Sequence, residues 1–63
     1  MIIISQDKKG IFPMGIIRII DNIVYYGREY ESLGRYKTEG QAREVLQDII
    51  KNYQEGTDIY LMP

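Results

Sequence analysis

Two stretches of this chain place apolar residues on consecutive positions: Ile2-Ile3-Ile4 and, interrupted only by Arg18, Ile16 to Ile20. Neighbouring side chains of a strand point to opposite faces of its sheet, so strands with these sequences are apolar on both faces. Only one amphipathic helix, after Thr38, is evident to cover them, and it can cover one face. The other face must meet water, another chain or a ligand.

The chain is short for the apolar surface that it must bury. Its 63 residues form one small domain, residues 1–63, whose core barely offsets the conformational entropy lost on folding. Cysteine and histidine are both absent, which excludes disulfides and the usual zinc sites as stabilising elements. Self-association remains as a source of buried surface, and we expect a homodimer.

Charge and the first residues of the sequence bear on partners and location. Eight basic and nine acidic residues leave a net charge of −1, which gives no overall attraction to phosphate or to anionic lipid. The segment Met1 to Asp7 has neither the basic residues nor the long apolar run of a signal peptide or membrane span. We therefore expect a soluble cytoplasmic protein with no membrane partner.

Turn-forming residues divide the first half of the chain into strands. Met1 to Gln6 reads as a first strand, and the Asp7-Lys8-Lys9-Gly10 cluster predicts a turn before Ile11. Pro13 lacks a backbone donor and belongs at an edge or a bulge, and Gly15 strengthens the prediction of a kink there.

A hairpin and a return strand follow. Asp21-Asn22 favours a two-residue turn that joins Ile16 to Ile20 with Ile23 to Tyr26. The stretch Tyr30 to Lys37 then predicts a strand of strict alternation, with residues 30, 32, 34 and 36 on one face and residues 31, 33, 35 and 37 on the other.

The helix is the clearest local prediction. Thr38-Glu39-Gly40-Gln41 has the form of a capping box, in which the Thr38 hydroxyl accepts from the Gln41 amide and the Gln41 side chain reaches the Thr38 amide. Gly56 suits the residue that follows a helix. The predicted apolar stripe consists of Ala42, Val45, Leu46, Ile49, Ile50 and Tyr53.

These elements predict an α+β fold. Thr57 to Met62 forms a last short strand, which gives the order ββββαβ. The expected architecture is a small antiparallel β-sheet of four to five strands with the helix packed on one face. The last strand returns to pair at an edge, beside the first.

The sequence also resembles a family. In the middle of the chain the resemblance lies in Leu33-Gly34-Arg35-Tyr36-Lys37-Thr38-Glu39, Ala42, Val45-Leu46 and Ile49, and at the ends in Met1 to Asp7 and Tyr60 to Pro63. These segments are similar to those of short uncharacterised proteins of low-GC Gram-positive bacteria and their phages. The resemblance covers nearly the full length and departs at Pro13-Met14-Gly15. It implies a bacterial, cytoplasmic protein of prophage or mobile-element origin, with no catalytic residue.

Little in the sequence suggests catalysis or a cofactor. Without His or Cys the common general bases and the strongest nucleophile are missing, so we expect neither an enzyme nor a bound cofactor. Glu44 and Asp48 stand four residues apart on the solvent side of the helix, where they suit either a hard cation or plain solvation. Glu39 is placed to pair with Arg43, which favours a solvated helix face.

Tyrosines and basic residues mark the candidate interaction surface, which comprises Tyr25, Tyr26, Arg28, Tyr30, Arg35, Tyr36 and Lys37. A surface rich in Tyr and Arg is typical of protein interfaces, so we predict a small interaction module, a modulator of a host factor if the resemblance holds. The alternative is an accessory protein that binds single-stranded nucleic acid, although Glu29 and Glu31 dilute the positive charge. Ile17 and Ile19 are the candidate residues for self-association.

Overall fold

The structure is a computed structural model that describes residues 1–63. It contains six strands and one helix, which confirms the α+β class. The elements in chain order are β1 (Ile2–Ile4), β2 (Ile11–Pro13), β3 (Ile17–Ile20), β4 (Ile23–Tyr26), β5 (Glu31–Arg35), α1 (Glu39–Gln54) and β6 (Ile59–Leu61).

The strands form two three-stranded sheets. The N-terminal sheet has the order β2-β1-β6, with β2 antiparallel and β6 parallel to β1. The hairpin sheet has the order β3-β4-β5 and is antiparallel throughout. The last strand lies beside the first, as the sequence predicts. The expected single antiparallel sheet of four to five strands is replaced by six strands in two sheets, and the last pairing is parallel because α1 carries the chain across the molecule before β6.

The kink at Pro13 separates the two sheets. Pro13 ends β2, and the Met14 amide donates to the Met1 carbonyl at 3.0 Å before the chain leaves for β3. At Gly15 a Cβ atom would lie 2.9 Å from the Tyr26 hydroxyl, so a larger residue here would require the end of the Tyr26 side chain to shift. The sequence locates this irregularity correctly, and the structure shows that it divides two sheets.

The turn before β2 is built on the buried Ser5. Its hydroxyl donates to Asp7 Oδ1 at 2.7 Å and accepts from the Gly10 amide at 3.0 Å. Asp7 also accepts from the Lys9 amide, and these hydrogen bonds lower the pKa of the Asp7 carboxyl below its ordinary value. Lys8 takes a positive φ of 61° at the tip. The predicted turn is therefore confirmed, and its polar residues serve local structure.

The prediction that side chains of β5 alternate strictly between the two faces of the sheet is wrong. The pairing of β4 with β5 shifts register between Val24 and Tyr25, so β5 contains a bulge at Leu33. Leu33 and Gly34 are both buried, which a regular strand with one wet face does not allow for adjacent residues. The bulge lets Leu33 enter the core.

The helix begins and ends close to the predicted residues. The Thr38 hydroxyl accepts from the Gln41 amide at 3.1 Å, as expected. The Gln41 side chain accepts from the Lys37 amide at 3.0 Å, one residue before the Thr38 amide that the capping box predicts. Gly56 follows the helix with φ 79°. The predicted pair of Glu39 with Arg43 is present at 2.7 Å on the exposed face.

The core lies between the helix and the inner faces of the two sheets. Ala42, Val45 and Ile49 of the predicted stripe are buried, Leu46 is half-buried, and Ile50 and Tyr53 are exposed. The predicted apolar stripe is therefore wider than the part of the helix that packs against the sheets. The buried core residues are Ile3, Val24, Leu33, Ala42, Val45, Ile49, Tyr60 and Met62.

We expect the Thr38→Ala substitution to lower the free energy of unfolding by about 1 kcal/mol, because it removes the acceptor of the Gln41 amide. Arg43→Ala, which removes an exposed ion pair in the next turn, should change it by less than about 0.5 kcal/mol. Urea unfolding followed by circular dichroism measures both. Equal losses in the two variants would contradict the assigned cap.

Candidate interaction surfaces

The N-terminal sheet presents a purely apolar outer face. Residues paired across a ladder point to the same side of a sheet, and the register places Ile2 between Pro13 and Ile59. It places Ile4 between Ile11 and Leu61. We call the side chains of these six residues the outer face: Ile2, Ile4, Ile11, Pro13, Ile59 and Leu61.

Solvent reaches most of the outer face. Ile11 is 71% exposed, Ile59 and Leu61 are each 59% exposed, and Ile2 is 43% exposed. On the opposite side of the same strands, Ile3 and Tyr60 are buried in the core. Six apolar side chains in a two-by-three arrangement, with no polar residue among them, form the kind of patch that marks an interaction site.

The residues chosen from the sequence for self-association lie elsewhere. Ile17 and Ile19 are half-buried and pack against the core, opposite Tyr26 and Val24 of β4. The sequence identifies two strands with apolar residues on both faces, but it does not decide which strand the helix covers. The helix lies against β3 and β4, so the uncovered apolar face belongs to β1 and its neighbours.

The seven candidate residues of the Tyr and Arg surface do not form one surface. Tyr26 is half-buried, with its ring centroid 4.8 Å from that of Phe12 at the edge of the core. Tyr36 lies at the other end of the hairpin sheet, where its hydroxyl donates to the Pro63 carbonyl at 3.0 Å and burial raises its pKa. Arg28, Arg35 and Lys37 are exposed.

Two of the seven form a small cluster with a third residue. The rings of Tyr25 and Tyr30 meet edge to face with centroids 5.9 Å apart. The Arg18 guanidinium lies 5.2 Å from the Tyr30 ring centroid and donates to the Tyr30 hydroxyl at 3.1 Å. Arg18 was not among the sequence candidates, although the predicted hairpin register puts it opposite Tyr25.

A cleft of about 530 Å³ lies between the helix and the segment that follows Tyr60. Gln41, Glu44 and Asp48 of α1 line it on one side, and Tyr36 and Tyr60 line it on the other. It contains two carboxylates and no basic side chain. The volume is within the range of small-ligand pockets, and the charge of the lining favours cationic groups.

Asp48 already has a partner in this cleft. Its Oδ2 accepts from the buried Tyr60 hydroxyl at 2.7 Å, which ties β6 to the helix. Burial and the neighbouring Asp48 carboxylate raise the pKa of Tyr60. No group of three His, Cys, Asp or Glu side chains is arranged to hold a metal ion. Asp48 and Glu44 are the two carboxylates that line this cleft.

No family model, curated protein or solved structure matches this chain. The helix is too short and too polar to cross a bilayer.

We expect Tyr60→Phe to lower the free energy of unfolding by about 1 kcal/mol at neutral pH, because it removes the hydrogen bond to Asp48. The raised pKa of Tyr60 means that the native state favours the neutral phenol. Its contribution to stability is complete below the unfolded pKa, near 10, and falls as the pH rises above it.

Urea unfolding at neutral pH and above pH 10 checks this expectation. Stability should fall less steeply with alkaline pH in Tyr60→Phe than in the parent chain. Tyr53→Phe, at an exposed position on the helix, is the matched control and should follow the parent. If the free energy of unfolding fell equally with alkaline pH in the parent and in Tyr60→Phe, the fold would not be holding this hydroxyl neutral.

Proposed function

We propose that the protein is a small non-enzymatic interaction module that forms a homodimer through the outer face of the N-terminal sheet. The observation that carries this proposal is the exposure of Ile11, Ile59 and Leu61 on a face with no polar residue. The sequence has no His and no Cys, the commonest general base and the strongest nucleophile, and this composition supports a non-enzymatic role.

A second copy is the occupant that suits this face best. A flat apolar sheet face is complementary to itself, and two sheets pack face to face about 10 Å apart. The two ends of the face also differ in charge: Asp58 precedes β6 at one end, and Lys8 and Lys9 form the turn at the other. A two-fold axis that lies between the two faces and runs perpendicular to the strands would bring Asp58 of each copy toward the lysines of its partner.

The apolar area suits a dimer that exchanges with its monomer. Full burial of an Ile or Leu side chain contributes about 1.5–3 kcal/mol, so the half-exposed side chains of two facing copies would contribute on the order of 10 kcal/mol. Association itself costs about 4–15 kcal/mol. The balance favours a dissociation constant in the micromolar range or weaker.

We expect Ile11→Lys to abolish the dimer and leave the fold intact, because this side chain is the most exposed of the outer face and a paired interface would bury its charge. Ile20→Lys is the matched control: Ile20 is 44% exposed, but it belongs to the hairpin sheet. Sedimentation equilibrium over a dilution series, with circular dichroism for the fold, makes the comparison.

The parent and Ile20→Lys should show a monomer–dimer equilibrium at about 10–500 µM, and Ile11→Lys should stay monomeric. A parent chain that is monomeric at every concentration would overturn the proposed dimer. A dimer that survives in Ile11→Lys would place the interface on another surface.

The module also has an expected cellular setting. We propose that it is a bacterial, phage-derived protein of the cytoplasm that modulates a host factor. The resemblance to short proteins of low-GC Gram-positive bacteria and their phages supports the origin, and the absence of Cys fits a reducing compartment such as the cytoplasm.

A second candidate function, binding of single-stranded nucleic acid, is supported by one observation. The exposed Arg18 and Tyr30 form a group with the half-buried Tyr25 in which a cation lies against an aromatic ring, and such groups stack bases and bind phosphates. The exposed Glu29 and Glu31 nearby weaken the field. This function would use the hairpin sheet and leave the outer face free for the dimer.

The test is a titration with a single-stranded oligonucleotide at low salt, followed by amide chemical shifts. Binding should shift the signals of Arg18, Tyr25 and Tyr30, and added salt should reverse the shifts. Arg18→Gln should weaken this binding several-fold, with Arg43→Gln on the helix as the control. Unchanged spectra at low salt would exclude the candidate.

A further inference from the structure

The two sheets have four edge strands, and three of them are protected against pairing with another strand. The backbone of β5 is covered by Gln6, whose amide donates to the Leu33 carbonyl at 2.7 Å and whose side chain bonds both backbone groups of Arg35. The edge strand β3 carries the charged Arg18 at its centre, and charge on an edge discourages further pairing.

The third protected edge is that of β2. The Ser5 amide donates to the Gly10 carbonyl and the Met14 amide to the Met1 carbonyl, so alternate residues of β2, including Phe12, face β1. Ile11 and Pro13 therefore turn their backbone groups outward. Proline has no amide hydrogen, so it removes a donor at the free side of this strand.

The β6 edge has no such protection. The Ile2 amide donates to the Asp58 carbonyl at 2.8 Å, and the Met62 amide donates to the Ile4 carbonyl at 3.0 Å. In a parallel ladder this pattern turns the amides and carbonyls of Ile59 and Leu61 away from β1. Neither amide is a donor in the backbone hydrogen bonds of the turns, loops and caps, and β6 contains no charge and no proline.

We propose that the β6 edge binds an extended segment of a partner protein by strand addition, and that this segment alternates apolar and basic residues. Main-chain hydrogen bonds to Ile59 and Leu61 would hold the added strand, and the chemistry on the two sides of β6 would select its side chains. This binding uses backbone groups that the proposed dimer leaves free, so it does not depend on that dimer.

The two sides of β6 differ in chemistry. On the outer side Ile59 and Leu61 are exposed, so neighbouring residues of an added strand meet apolar surface. On the inner side Tyr60 lines the acidic cleft, together with Glu44 and Asp48. A residue paired opposite Tyr60 shares its side of the sheet, and a Lys or Arg at that position would reach carboxylates that have no basic neighbour in the cleft.

The probe is a blocked synthetic peptide of sequence Thr-Ile-Lys-Ile-Thr, with Thr-Ile-Glu-Ile-Thr as its control. We expect the lysine peptide to shift the amide signals of Ile59 and Leu61 in the labelled protein and to slow their hydrogen exchange. The glutamate peptide should bind about tenfold more weakly, because it meets Glu44 and Asp48 with like charge. Both measurements are made on the parent chain and on the monomeric Ile11→Lys variant.

Two variants separate the edge from the cleft. Leu61→Pro removes an amide hydrogen that faces away from β1 and should abolish binding, while circular dichroism reports the fold. Glu44→Gln should reduce the preference for the lysine peptide and leave the backbone contacts intact, with Glu39→Gln as the matched control in the first turn of the helix.

Three outcomes would overturn the proposal. The first is the absence of shifts at Ile59 and Leu61 at millimolar peptide. The second is equal binding of the two peptides, which would show that the site has no preference for a basic residue. The third is slow hydrogen exchange of these two amides in Ile11→Lys without peptide, together with a dimeric mass. That result would mean that a second copy of the chain already pairs with the β6 edge. Binding to monomeric Ile11→Lys would support the strand-addition site whatever becomes of the dimer.

Discussion

The parallel pairing of β6 with β1 closes the N-terminal sheet over the core and joins that sheet to the helix. It places Ile3 at the centre of a three-stranded ladder, between Phe12 and Tyr60, where it is completely buried. The Tyr60 hydroxyl then ties this sheet to the helix through Asp48. Without β6 the inner face of β1 would lose a neighbour, and the core of eight residues would lose Tyr60 and Met62.

The same pairing creates the exposed surfaces. Because the single helix lies against β3 and β4, nothing covers the far side of β1, β2 and β6. Both proposals follow from this shortage of covering elements. The dimer would use the side chains of the outer face, and strand addition would use the backbone of the β6 edge, so one molecule can do both. Their residues also overlap at Ile59 and Leu61, whose side chains lie on the face and whose amides lie on the edge.

Local features of this fold are readable from the sequence, whereas most long-range features, apart from the position of β6 beside β1, are not. The cap at Thr38, the end at Gly56 and the turn at Asp21-Asn22 depend on residues close in the chain, and the structure confirms them. The division into two sheets and the bulge at Leu33 depend on which strands share a core, which no local pattern specifies. For that reason the sequence identifies too much apolar surface for one helix, but it does not show that Ile17 and Ile19 are half-buried while Ile59 and Leu61 are exposed.

If the outer faces of two copies meet in the dimer, methyl groups of one copy must lie within a few ångströms of methyl groups of the other. An equimolar mixture of isotope-labelled and unlabelled protein, at a concentration where the mass is dimeric, gives nuclear Overhauser effects between copies alone. We expect such effects between methyl groups of the outer face, such as those of Leu61 and Ile11. Intermolecular effects confined to methyls elsewhere, such as Ile20 or Ile50, would contradict it.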